Sequence, residues 1–287
     1  MHQRKVFAAP DFATMKAKKI LFITQEMVPF SVETPKSNRG RFMPQSIQEL
    51  GHEIRTFTPK WGNINERRNQ LHEVIRLSGM NIIIDETDHP LIIKVASIAA
   101  ARMQIYFIDN DDYFMKRLMI ADANGNEYPD NGERAIFYAR GVLETVKKLR
   151  WMPDVIHCHG WITALAPLFI KKAYADEPSF RDSKVVFSAS SPEFKQDLGQ
   201  KFADCIPFKT VKKSDYAEIT AEKFGYDELQ KIAVKFSDGV VMDDPNVNPD
   251  VLDYAASLNI PVLPYQDEDK AMQAYSEFYD SIVTDKE

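Results

Sequence analysis

The chain has 287 residues with 36 basic and 42 acidic side chains, so its formal net charge is −6. Hydrophobic residues make up 44% and charged residues 27% of the sequence, a composition that excludes wholesale disorder. The longest apolar run, residues 91–101, is interrupted by Lys94 and is too short for a membrane helix. The acidic balance, without an extended run of Lys and Arg, argues against nucleic acid. We therefore expect neither a nucleic-acid nor a membrane partner.

The cysteine count indicates the redox environment of the chain, and the N-terminal sequence indicates where its domain begins. Two cysteines are too few for a disulfide framework, which predicts a reducing, cytoplasmic environment. The first 14 residues carry basic side chains but no continuous apolar core, unlike a signal peptide. We expect residues 1–17 to be a flexible extension and residues 18–287 to form a single domain.

From residue 19 onward, short β-rich runs alternate with helical patterns. Strands are predicted at 19–24, 52–59, 154–159, 184–189, 238–243 and 260–265. Helices are predicted near 39–50, 131–150, 162–175, 214–236, 248–258 and 267–283. Four strand-like runs with short polar joints lie at 74–78, 80–85, 90–98 and 103–109, which predicts an antiparallel insertion over about 74–108. The fold predicted is α/β: a doubly wound, mostly parallel Rossmann-like sheet with a β-rich antiparallel insertion.

Several short motifs with a known mechanism are absent from the sequence. It contains no GxGxxG, GxxxxGK[ST], GxSxG, HExxH or CxxC pattern. Dinucleotide binding, P-loop hydrolysis, α/β-hydrolase chemistry and structural zinc therefore have no local support. The sequence indicates no cofactor.

Asp109 and Asp111 follow a predicted strand with the Asp-x-Asp spacing that binds a metal in some nucleotide-sugar transferases. The pattern is short, and residues 267–269 match it equally well. Acidic residues and Asn are also common in turns, so a solvated loop is the main alternative. We treat the pair as weak metal candidates and predict no metal site.

His157 and His159 lie two residues apart on a predicted strand, so their side chains share a face. At the carboxyl end of a parallel strand, that face lines the crevice in which such sheets bind ligands. A catalytic zinc would need a third protein ligand, which the sequence does not indicate. Lining the cleft and a purely structural role remain the two main alternatives, and Cys158 is expected to be buried on the opposite face.

Asp130 and Asn131 open the helix predicted at 131–150. Either residue is a typical helix N-cap, and capping is as good an interpretation as substrate contact.

Several of these segments together resemble the N-terminal catalytic domain of bacterial glycogen synthases and plant starch synthases. The matching runs are 18–30 (KKILFITQEMVPF), 50–62, 105–114, 128–144 and 151–161, with a weaker match at 184–190. Order and spacing agree from residue 18 to about 190. The resemblance implies the GT-B arrangement of two Rossmann-like domains and glucosyl transfer from ADP-glucose to an α-1,4-glucan.

The sequence departs from this family first in the loop after EMVPF. The family reads Lys-Thr-Gly-Gly there, and its lysine, which meets the donor phosphates, falls on Val32. The two glycines fall on Thr34 and Pro35, and proline has no N–H group to offer a phosphate. Lys36 is nearby, but four positions later it need not point the same way.

The family's His-x-His-Asp-Trp-His run falls on residues 157–162, where Gly160 replaces the aspartate and Ile162 replaces the last histidine. After the strand at 184–189, the family's Thr-x-His-Asn falls on residues 188–191, which contain no histidine. We therefore predict no catalytic residue at the positions of Val32, Gly160 and Ile162. The remaining candidates to line the cleft are Lys36, Asp130, Asn131, His157, His159, Trp161, Ser188 and Ser190.

We expect the chain to lack the family's second domain, which by the resemblance would hold most of the nucleotide-sugar site. The first hypothesis is a non-catalytic binding or regulatory module related to glucan or nucleotide-sugar binding. The second is an active α-1,4-glucan glucosyltransferase that uses ADP-glucose, with a rebuilt site or a second chain. The third is a protein-interaction subunit, with a homo-oligomer or partner chain on the face left by the second domain.

Two structural alternatives bear on these hypotheses. The aromatic closing helix, with Tyr275, Phe278 and Tyr279, either leaves an apolar face open or folds back to cover it. The crevice beyond the strands at 19–24 and 154–159 is either open and polar or filled by Val32, Phe42 and Ile162.

Overall fold

The computed structural model describes residues 16–283, without the side chain of Asp269, so most of the extension predicted at 1–17 lies outside the described residues. The helices are α1 (Pro35–Glu49), α2 (Asn131–Lys148), α3 (Ala166–Lys171), α4 (Gly199–Cys205), α5 (Tyr226–Lys235), α6 (Pro249–Ser257) and α7 (Glu268–Ile282). The strands are β1 (Lys19–Thr24), β2 (Glu53–Pro59), β3 (His72–Glu73), β4 (Met80–Ile84), β5 (Thr87–Ile98), β6 (Met103–Asp109), β7 (Val155–His159), β8 (Lys184–Ala189), β9 (Gly239–Met242) and β10 (Val262–Leu263).

The strands form one large sheet in the order β10-β9-β8-β7-β1-β2-β6-β5-β3, with β4 paired to β5. Every pairing from β10 to β6 is parallel, whereas β5 runs antiparallel to β3, β4 and β6. This confirms the predicted α/β class, with a mostly parallel sheet and an antiparallel excursion.

Helices cover both faces of the sheet because successive strand residues point to opposite sides. On β1, Leu21 and Ile23 belong to the core cluster that includes α2, α3, α5 and α6. Ile20 and Phe22 belong to a second cluster with the apolar residues of α1 and α7. The central strands are therefore buried on both faces, as parallel strands require.

The closing helix α7 folds back onto the sheet beside α1. Tyr275 and Tyr279 are 1% exposed, and Phe278 is 9% exposed. The closing helix thus folds back, and its three aromatic side chains are buried against the sheet and α1. Within residues 16–283, no helix is both long and apolar enough to cross a membrane.

The predicted insertion is shorter than its sequence pattern indicated. Residues 74–78 form a turn in which Leu77 N donates to Val74 O at 2.9 Å, and not a strand. Ile75 in this turn is 76% exposed, so the apolar pattern there does not report a buried strand. The last predicted run becomes β6, which pairs antiparallel with β5 but also in parallel with β2.

Two predicted helices are also shorter than expected. The pattern at 162–175 divides into a 3-10 turn, Trp161–Thr163, and the short helix α3, whose first turn contains a proline. The pattern at 214–236 becomes a loop followed by α5, which begins after Gly225. Helix α4 was not predicted.

Candidate functional site

The carboxyl ends of β1, β7, β8 and β9 lie side by side, and polar side chains stand at or just after each end. They are Thr24, His159, Ser190 and Asp243. Helix α1 begins beside this edge and adds the cations of Lys36 and Arg39. This is the edge at which parallel sheets bind ligands.

Asp243 is the anion at the centre of this edge and is 6% exposed. Its Oδ1 lies 3.0 Å from His159 Nε2 and 3.5 Å from Arg39 Nε. The other ring nitrogen of His159 lies 3.0 Å from Thr24 Oγ1. Burial by itself would raise the pKa of Asp243, but His159 and the cations of α1 hold that pKa below its usual range. The carboxylate is therefore ionised and neutralises charge on α1.

Lys36 is held by a second carboxylate, that of Glu193. Its Nζ forms an ion pair with Glu193 and donates to Ser190 Oγ at 3.2 Å. The same carboxylate accepts hydrogen bonds from Gln25 Nε2 at 2.6 Å and from the Tyr226 hydroxyl at 3.1 Å. Burial alone would lower the pKa of Lys36, whereas the charge of Glu193 helps to raise it. Lys36 is thus a cation whose charge is matched inside the chain.

Glu193 lies on residues 190–197, which follow β8 and which we call the strap. At its start, the backbone N–H of Ser191 donates to Asp244 Oδ2 at 2.7 Å. Near its end, two successive backbone N–H groups donate to the Glu127 carboxylate at 2.9 and 2.8 Å. Carboxylates from two other segments therefore hold the strap over the edge of the sheet.

His157 lies deeper in the same face, under α7. Its Nδ1 is 2.6 Å from the Tyr279 hydroxyl, and its Nε2 is 2.8 Å from Ser188 Oγ. The ring stacks on Tyr275 with centroids 5.6 Å apart. Burial lowers the pKa of His157 to about 3, so the imidazole is neutral near pH 7. Both ring nitrogens are already occupied by partners within the chain.

The space left between these groups is small. A cavity of about 10 Å³, lined in part by Arg39, His157 and His159, has room for roughly one water molecule. Neither Val32, 73% exposed, nor Phe42, 53% exposed, fills the crevice. The filling comes instead from ion pairs and from the tyrosines of α7.

Gly160 and Ile162 stand where the resemblance places an aspartate and a histidine. Gly160 has φ +95°, and a Cβ there would lie 2.5 Å from Gln25 Oε1. The same Oε1 accepts the backbone N–H of Trp161 at 3.0 Å. Ile162 is fully buried in the main core, and Trp161 is 1% exposed with no partner for its Nε1. This backbone is built around Gln25 and leaves no room for a larger residue at position 160.

Asp130 and Asn131 belong to a different cluster, around the loop before α2. Asp130 is the N-cap residue, but its side chain forms an ion pair with Arg117 and makes no capping hydrogen bond. The Asn131 amide donates to Ile120 O at 2.9 Å, and its Oδ1 accepts from Arg134 at 2.8 Å. These contacts anchor the loop, and neither side chain bonds to the histidines or to Lys36.

The two weak metal candidates are also separated. Asp109 is buried, with Oδ2 2.8 Å from Lys94 Nζ, whereas Asp111 is exposed. In the part of the chain that the structure describes, no group of three or more His, Cys, Asp or Glu side chains could hold a metal ion.

Four residues of the site escaped the sequence reasoning: Gln25, Arg39, Glu193 and Asp243. Arg39 lies three residues after Lys36, within one turn of the same helix, and Asp243 ends a predicted strand. Those two positions could have been found from the pattern. Glu193 lies in a loop with no motif, so only the fold shows that it meets Lys36.

Comparison with known proteins agrees with the architecture. The family model of the starch synthase catalytic domain matches residues 19–258. A glycogen synthase of Pelodictyon phaeoclathratiforme is 39% identical over 171 residues, which cover 59% of this chain and 35% of that protein. A glycogen synthase of Chlorobium limicola is 35% identical over 196 residues, which cover 68% of this chain and 38% of that protein. The chain thus spans just over a third of the length of these relatives.

A solved structure shows the same fold. The catalytic domain of starch synthase IV from Arabidopsis thaliana, bound to ADP and acarbose, superposes with a TM-score of 0.68 at 17% identity. The match covers 89% of this chain and 53% of that one. The sheet and its flanking helices have the fold of one Rossmann-like domain of the GT-B arrangement. With the match over residues 19–258, the chain belongs to the starch synthase catalytic domain family.

Replacing Gly160 tests the local requirement for glycine. Gly160→Ala introduces both a left-handed backbone strain and an overlap with Gln25, so we expect the free energy of unfolding to fall by roughly 3 kcal/mol. Gly125→Ala is the matched control, because Gly125 has φ +85° but open space around its Cβ position. That variant should lose only about 1 kcal/mol. Equal losses in urea titrations of the two variants would contradict the overlap with Gln25.

The lowered pKa of His157 predicts a pH dependence of stability. Below pH about 6.5 the unfolded chain binds a proton at His157, whereas the folded chain does not until about pH 3. The free energy of unfolding should therefore decrease as the pH is lowered through this window, and His157 should contribute about 1.4 kcal/mol per pH unit to the decrease. Urea titrations between pH 7 and 4 should show that this contribution is lost in His157→Gln. The control variant His72→Gln, which changes an exposed histidine, should retain it. The same slope in wild type and His157→Gln would show that His157 is not buried in its neutral form.

Proposed function

We propose that this protein is a non-catalytic member of the family, a binding or regulatory module related to glucans or nucleotide sugars. The observation that carries the proposal is the neutralisation of both cations at the carboxyl edge. Lys36 is paired with Glu193, and Arg39 lies against Asp243. Transfer of a glucosyl group from a nucleotide sugar needs positive charge at the leaving diphosphate. Here Glu193 and Asp243 already bind these cations and would compete with a diphosphate for them.

The residues at the family positions support the same proposal. Val32 is a solvent-exposed aliphatic residue in place of the phosphate-binding lysine that the resemblance implies. Ile162 offers no hydrogen bond, and the conformation of Gly160 leaves no room for an aspartate. Restoring the chemistry would require rebuilding the backbone around Gln25 as well as changing side chains.

The alternative is an α-1,4-glucan glucosyltransferase that uses ADP-glucose and works with a second chain. It is favoured by family membership and by the Arabidopsis structure, which was bound to ADP and acarbose. The filling of the crevice is polar, so displacing the strap would expose Lys36 and Ser190. Under this alternative Glu193 is an obstacle that the active state removes.

The test is an assay of glucose incorporation into glycogen from ADP-glucose and from UDP-glucose, with an active glycogen synthase run in parallel. We expect no incorporation by the wild-type chain. ADP is then titrated calorimetrically into wild type, into Glu193→Gln and into Glu73→Gln, which changes an exposed carboxylate on β3. Because Glu193→Gln removes the carboxylate paired with Lys36, this variant should bind ADP more tightly than wild type and Glu73→Gln do. Glucose incorporation by wild type would overturn the proposal, and equal ADP binding by all three proteins would overturn the Lys36–Glu193 pair as the reason for it.

A further inference from the structure

A second concave site lies at the opposite edge of the sheet, where β2 and β6 begin. Its volume is about 220 Å³. The carboxyl edge described above is roughly 20 Å away, the length of a strand of this size. The polar side chains that line the site are Gln48, Glu53, Arg55, Arg102, Gln104 and Tyr106.

Two arginines of this site have no carboxylate partner. Within residues 16–283, neither Arg55 nor Arg102 forms an ion pair. Arg55 is held over the Trp151 ring at 5.1 Å and reaches the Tyr106 hydroxyl at 3.4 Å. The one carboxylate in the wall, Glu53, accepts the Trp151 indole N–H at 2.7 Å. In a chain of net charge −6, two adjoining guanidinium groups without counter-ions are an unusual concentration of positive charge.

The polar side chains beside the two arginines add a hydrogen-bond donor to the site. The Tyr106 hydroxyl donates to Gln104 Oε1 at 3.0 Å, which leaves the Gln104 amide N–H groups free to donate. Arg41, 6% exposed, lies behind Met103 and donates to its sulfur at 3.3 Å. Like the two arginines of the site, Arg41 has no ion pair in the described part of the chain. Two arginine cations and an amide donor therefore line one concavity, and Arg41 lies behind its Met103 wall.

A phosphate group is the ligand that this donor set fits. It accepts hydrogen bonds at every oxygen and is bound bidentately by arginine. The volume exceeds that of a phosphate ion and leaves room for an attached group. Gln48, which lines the site, has a buried Oε1 with no partner, and a ligand hydroxyl would satisfy it. We propose that the site binds a small hydroxylated phosphate monoester, with its phosphate between Arg55 and Arg102.

The experiment is calorimetric titration of the full chain with inorganic phosphate, ribose 5-phosphate and ribose. Ribose 5-phosphate should bind more tightly than phosphate, ribose should not bind, and affinity should fall as salt is added. Arg102→Gln should weaken binding of ribose 5-phosphate about tenfold or more, because it removes a charged hydrogen-bond donor. Arg102 is exposed and its side chain makes no hydrogen bond within the described residues, so the variant should keep the wild-type melting temperature.

A matched control and a second variant make the result decisive. Arg181→Gln removes another exposed arginine, one that pairs with Asp182 away from this site, and should leave the affinity unchanged. Arg55→Lys keeps the charge but loses the planar fork, and should weaken binding as well. No binding of ribose 5-phosphate up to about 10 mM, a value far weaker than a specific site gives, would overturn the proposal. An equal loss in Arg181→Gln and Arg102→Gln would overturn it too, since binding would then follow total charge.

Discussion

Two carboxylates, the half-buried Glu193 and the buried Asp243, hold the cations at the carboxyl edge of this sheet. Each faces a cation of α1 in a region only partly open to water, so each charge depends on its partner for stability. Removing one partner would leave the other buried and uncompensated, which costs far more than an exposed ion pair is worth. The strap, the start of α1 and the ends of β7 and β9 are therefore placed by the same charge balance.

The other elements at this edge are consistent with that constraint. Helix α7 covers His157 with two tyrosines, so the histidine remains neutral and structural. The positive φ of Gly160 allows Gln25 to reach both the Trp161 backbone and Glu193. The proposed loss of transfer chemistry is thus a property of the whole packed edge. In this account, restoring a single family residue does not reopen the crevice.

The fold was predictable from the sequence because hydrophobic periodicity is the main signal of secondary structure. Buried parallel strands that alternate with amphipathic helices have a strong hydrophobic periodicity. The failures have specific causes. The run at 74–78 was apolar enough for a strand but turns directly after Val74, whose N–H donates to Ile93 O of β5. The end of the predicted insertion also pairs with β2 in parallel. The crevice was partly predictable, since His159 and Lys36 follow from strand ends and the family resemblance. Glu193 was not, because a loop carboxylate reveals its partner only through tertiary structure.

The central claim is that Lys36 and Glu193 are bound to each other. A double-mutant cycle tests it most directly, with Lys36→Met, Glu193→Gln and the double variant compared by urea unfolding at pH 7. We expect a coupling free energy of about 1 kcal/mol or more, because charges in contact within one network are not additive. A coupling near zero would mean that Lys36 is free to meet an external anion, and would contradict the account of a crevice closed by the chain itself.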